Sequence, residues 1–126
     1  MSNKRKPSEV LKEFLDYMKD CQKEYQICMV EVHKHDKRVQ DFLHGLEFAE
    51  NRQERNRIAT QVSQSRKERR RIKDRMQLLE GCARFYGDKS NKQFFDRMQD
   101  LVRKQKKEEE FLESDRIYKP RAGDDV

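Results

Sequence analysis

The amino-acid sequence predicts an all-α protein: an elongated antiparallel helical hairpin, coiled-coil-like, with a shorter third helix in a three-helix arrangement. Three observations predict it. The 126 residues are 43% charged and only 33% hydrophobic, with 4 Gly and 2 Pro. An α/β fold needs near-continuous apolar strands and several glycine turns, which this composition does not supply, whereas long thin helices need little burial per residue. Apolar residues recur at alternating steps of three and four through most of the chain, the signature of a helical seam. The strongest break, Gly87-Asp-Lys-Ser-Asn91, falls late and separates a short last helix from the rest. The 7 Phe, 5 Met and steady leucines set the chain apart from a disordered polyelectrolyte.

Residues 1–7 read as a basic tail, and the first helix runs over about 8–50. Leu11, Phe14, Met18, Cys21, Tyr25, Cys28, Val32, His35, Val39, Phe42, Leu46 and Ala49 follow one another by threes and fours. Leu15, Met29 and Leu43 widen the stripe as a core-facing helix requires. Ser8 is the expected N-cap, with Pro7 outside the helix. Gly45 is a mild interruption, worth about 1 kcal/mol relative to alanine. A helix of this span is roughly 65 Å long, so the molecule should be elongated.

The stretch 51–57 holds no apolar residue and no glycine or proline. It reads as a tight turn with Asn51 or Asn56 near the bend, because the first seam needs a partner and a returning helix supplies it locally. The alternative is a continuous rod to Tyr86, which would require a second chain and make the protein a homodimer.

The second helix spans about 54–87. Its seam is Ile58, Val62, Ser65, Arg69, Ile72, Met76, Leu79, Ala83 and Tyr86, with Leu78 and Phe85 adding bulk. Ser65 and Arg69 are poor core residues. In an antiparallel hairpin they fall opposite Val32–Val39, at the level of His35, so both seams weaken together. The Arg69 stem should pack while its head reaches out.

The third helix covers about 90–113. Ser90 and Gln93 have capping-box spacing. Phe94, Phe95, Met98, Leu101 and Val102 form its apolar face, extended by Phe111 and Leu112, and the two phenylalanines are expected to fold back on Phe85, Tyr86, Leu11 and Phe14. The three helices form a single helical domain over 8–113. Residues 114–126 read as a flexible tail past which helix cannot continue beyond Lys119. Tyr118 there is a local packing contact or part of a linear recognition segment.

The formal net charge of +6 is unevenly spread. Residues 8–50 hold 6 basic and 10 acidic side chains, whereas 51–75 hold 10 basic and 3 acidic ones. One explanation is internal: a basic helix laid along an acidic one, with flanking ion pairs holding the antiparallel alignment. The other is a contact face for nucleic acid, DNA or RNA, or for an acidic protein surface, since guanidinium binds phosphate or carboxylate bidentately. The positive charges cover more than one side of the helix, so one acidic neighbour cannot neutralise them all. The candidate contact residues are Arg66, Lys67, Arg70, Arg71, Lys73 and Arg75, with Arg55 and Arg57 towards the turn. No helix-turn-helix, zinc-finger, RRM or zipper-linked basic region accompanies them, so binding would be phosphate contact and salt-sensitive.

Signals for chemistry are weak. His33 and His35 do not share a helical face. Cys28 and His35 are seven residues apart, about 10 Å along a helix and too far for shared metal ligation. No phosphate-binding glycine motif occurs, and a thin hairpin encloses little volume. The reading is therefore non-enzymatic, with no cofactor and no metal. The charged start argues against a secretory leader, no run approaches the roughly 20 apolar residues of a membrane span, and an odd number of cysteines reads as thiols in a reducing compartment. The default location is cytoplasmic, without a membrane partner. The leading expectation is a helical module that contacts nucleic-acid phosphates, and the second is an adaptor or stoichiometric inhibitor that binds an acidic protein.

Overall fold

The computed structural model describes residues 4–115. Its elements are α1 (Pro7–Glu47), α2 (Arg52–Gly87), a short 3-10 turn (Lys89–Asn91) and α3 (Lys92–Glu113). The first two pair antiparallel: Glu24 meets Arg75, His35 meets Ser65, and Gly45 lies against Ile58. The fold is all-α, a long helical pair with a shorter third helix joined to it. At 41 residues, α1 is about 60 Å long and forms the spine against which both other helices pack. Residues 1–3 and 116–126, with Tyr118, lie outside the described residues.

The chain reverses at Phe48–Asn51, so the continuous rod does not form. The bend comes earlier than the polar stretch 51–57 suggested: α1 stops at Glu47, and α2 has begun by Arg52. Asn51 explains the position. Its backbone is extended, and its side-chain oxygen accepts a hydrogen bond from the Glu54 N–H at 2.8 Å, satisfying one of the donors that a helix start leaves open.

Two local expectations at helix starts are corrected. Ser8 does not cap α1. Lys6 occupies that position without a side-chain bond, and Pro7 is the first helical residue. Proline suits this place, because its missing N–H would have been unpaired anyway and its fixed φ is already helical. The capping box at Ser90 also fails. Asp88 takes over, accepting from both the N–H and the hydroxyl of Ser90 at 2.9 Å, and α3 starts after Asn91 with no side-chain cap. The carboxylate competes better than a hydroxyl because it brings charge as well as acceptors.

The seam between α1 and α2 falls where the spacing puts it. Cys21, Cys28, Val32 and His35 are buried against Ile58, Val62, Ser65, Leu79 and Ala83. Three expected positions on α1 depart: Phe14 and Met29 are each 42% exposed and Leu43 is 49% exposed, while Leu15 beside Phe14 is buried. Near its N-terminus α1 is packed by α3 as well, through a cluster of Leu15, Met18 and Phe95 flanked by Cys82, Tyr86, Met98 and Val102. That second partner approaches from another side and selects Leu15. Phe95 meets Tyr86 at 4.9 Å and Phe85 at 5.7 Å between ring centroids, so the aromatic fold-back onto α2 is present, but on α1 it reaches Leu15 and Met18. Helix α3 runs through Phe111 and Leu112 to Glu113, and both residues stay exposed.

The far end of α3 is tied to the start of α1. The Glu109 carboxylate accepts from the Ser8 N–H at 2.9 Å and from the Ser8 hydroxyl at 2.5 Å, and Lys6 pairs with Glu113. A side chain 101 residues away thus fills the capping role at the N-terminus of α1.

Candidate functional site

The basic residues of α2 divide into two sets according to what their heads reach. Arg69 Nε donates to Asp36 at 2.7 Å, and Arg75 binds Glu24 through Nε at 2.8 Å and Nη2 at 2.9 Å. These two cations are matched by α1 carboxylates. Arg75 holds the Glu24 carboxyl below its ordinary range through that fork and its charge. Arg69 is only partly buried, its stem beside the seam and its head on Asp36, as its position required.

Arg66, Lys67, Arg70, Arg71 and Lys73 form the second set. All are exposed, and none makes an ion pair with a described residue. At about 100° per residue, Arg66, Arg70 and Lys73 share one sector of α2 roughly 60° wide, while Lys67 and Arg71 lie about 100° further round. Arg66, Arg70 and Lys73 line an open groove with Asp36, Val39 and Gln40 of α1. Arg66 and Arg70 also border a second hollow, shared with Lys67, Arg71 and one carboxylate, Asp74. The two arginines therefore stand on the ridge between two open basic grooves.

Of the sequence-predicted contact residues, Arg66, Lys67, Arg70, Arg71 and Lys73 are placed around two adjoining hollows that share Arg66 and Arg70. Arg75 is drawn away to Glu24. Arg57 lies round the helix from this ridge and shares a hollow near the turn with Asn51, Gln53 and Glu54. Arg55 continues the sector of Arg66 towards the turn, and so does Arg52, which the sequence reading left out of the site. Projection at 100° per residue would have found it, since Arg52, Arg55, Arg66 and Arg70 repeat within one stripe.

The remaining reactive groups serve packing. His35 is buried at 3% exposure against Ser65, with its Nε2 3.7 Å from Glu68. Cys21 and Cys28 are buried free thiols, and burial pushes both above the ordinary thiol value. Among the described residues no group of three or more His, Cys, Asp or Glu could hold a metal ion, and no helix is long and apolar enough to cross a membrane. Comparison with known proteins returns no match: no family model fits the sequence, and neither a curated protein nor a solved structure is significantly similar to the chain.

Proposed function

We propose that this protein is a small non-enzymatic helical module that contacts nucleic-acid phosphates through the basic face of α2. One observation carries the reading: the hairpin matches Arg69 and Arg75 with carboxylates and leaves five neighbouring cations on the outside without an ion pair among the described residues. Arg66–Arg70 and Lys67–Arg71 are like-charge pairs four residues apart, and each such pair destabilises an isolated helix by about 0.2–0.5 kcal/mol. No ion pair with a described residue offsets that cost. A polyanion would, because each phosphate it brings neutralises a cation and releases a condensed counterion. Guanidinium-rich surfaces suit this role through their bidentate geometry. The three free cysteines suit a reducing, cytoplasmic setting.

Fluorescence polarisation with generic DNA and RNA across a salt series tests the reading. Binding should weaken steeply with salt, and Arg70→Gln with Arg71→Gln should lower the slope of log K against log salt by about two. Arg75→Gln should leave that slope unchanged and lower the melting temperature instead. Absence of binding to either nucleic acid at low salt rejects the proposal and turns attention to an acidic protein partner.

A further inference from the structure

Resting on that reading, we infer that α2 bridges the two backbones of duplex DNA across the major groove, with Arg52 and Arg55 on one strand and Arg66 and Arg70 on the other. All four are exposed and fall within the same sector of α2, roughly 60° wide. They form two clusters. From Arg55 to Arg66 the helix rises about 16 Å. The B-form major groove is about 12 Å wide, so the clusters stand just beyond its edges, where the phosphates are. A single strand has one backbone, and the A-form major groove is deep and narrow, which leaves duplex RNA only its wide, shallow minor groove for such a span.

The surface between the clusters fits a bridge. Ala59 lies in the same sector and Ser63 about 20° past its edge, both exposed and small, so the helix backbone can come close to the groove mouth without a long side chain in the way. Nothing long enough to read base edges stands there, which makes the contact independent of sequence. Within 52–70 the acidic residues keep clear, Glu54 and Glu68 falling at least about 130° round the helix from the centre of the sector, while Asp74, one turn beyond, borders the hollow beside Arg66 and Arg70. The α1 carboxylate that lines the groove beside Arg66 and Arg70 is Asp36, whose charge is matched by Arg69.

The test compares one 20-mer sequence as DNA duplex, RNA duplex and single-stranded DNA, by polarisation between about 50 and 200 mM salt, where phosphate contacts are most visible. Duplex DNA should bind about tenfold tighter than the other two. Arg52→Gln with Arg55→Gln, and separately Arg66→Gln with Arg70→Gln, should each lower the salt slope on duplex DNA by about two, with circular dichroism unchanged. Arg97→Gln on the exposed side of α3 is the charge control and should leave the slope as it was. If the Arg52 and Arg55 pair has no effect while the Arg66 and Arg70 pair does, the phosphate-binding face stands and the bridge is wrong. Equal or tighter binding to the RNA duplex or the single strand also overturns the bridge. Failure of all three probes to bind at the lowest salt overturns both the bridge and the reading beneath it.

Discussion

His35 Nδ1 and Ser65 Oγ lie 2.9 Å apart in the buried seam between α1 and α2. The Glu68 carboxylate stands 3.7 Å from Nε2 on the other side of the ring. Both side chains are buried, and each satisfies the other. A one-turn slip of α2 along α1 would strand both polar groups among apolar neighbours. The pair therefore fixes alignment more than it adds stability, the role that a single polar residue plays in a coiled-coil seam.

That role predicts asymmetric mutant effects. Ser65→Ala should cost about 1–3 kcal/mol, because the imidazole is left without its partner. His35→Leu together with Ser65→Ala should recover most of that loss, since removing both polar groups leaves nothing unsatisfied. Urea unfolding of the two variants is the measurement. A double variant less stable than Ser65→Ala alone would contradict the account.

Gly81 offers a gain in stability. It lies inside α2, and a Cβ built on it meets nothing within 4 Å. Gly81→Ala should raise the unfolding free energy by about 0.4–1 kcal/mol through reduced unfolded-chain entropy. Gly45 differs, because a Cβ there lies 3.2 Å from Ile58 Cδ1 across the hairpin. Gly45→Ala should gain less than Gly81→Ala or lose stability, and parallel urea midpoints will rank the two.

Phe95 anchors α3. It is buried against Leu15 and Met18 and touches both Phe85 and Tyr86. Phe95→Ala should cost about 3–5 kcal/mol of packing. Helix α3 holds mainly to α1 rather than to α2, so the damage should be local. Amides of α3 should exchange much faster in deuterium while those at the middle of the α1–α2 pair stay protected.

Acid should loosen the tie between α3 and α1. The Ser8 hydroxyl, with smaller help from the Ser8 N–H and the Lys6 charge, holds the Glu109 carboxyl below its ordinary value. A carboxyl depressed in the folded state contributes stability that is fully present above its unfolded value and is lost as pH falls through its folded value. The contribution should thus be intact at pH 7 and fade below about pH 4.3. Arg75 does the same for Glu24, so part of the acid sensitivity belongs to the hairpin. Ser8→Ala should reduce the drop in melting temperature between pH 7 and pH 3 relative to the unaltered protein, and Glu109→Gln should reduce it further.

Much of the candidate site was legible in the chain. The density of Arg66–Arg75 marked the basic stretch, and helical projection grouped Arg66 with Arg70 and Lys73. What the residue types did not disclose was their division. Arg70 and Arg75 are identical side chains five residues apart, yet Arg70 pairs with no carboxylate among the described residues and Arg75 lies in a fork with Glu24. That depends on which α1 carboxylate stands opposite, hence on the alignment set by His35 and Ser65.

The sequence by itself determined the helices, the two seams and the level at which both turn polar. Those properties are local, because each residue advances a helix by a constant angle and the apolar phase follows directly. The tertiary structure alone decided that Leu15 rather than Phe14 is buried, that Glu109 completes the start of α1 in place of a local cap, and which arginines face outward. Each of these depends on where α3 or the opposite arm lands. The positions they join are too far apart along the chain for local spacing to relate them.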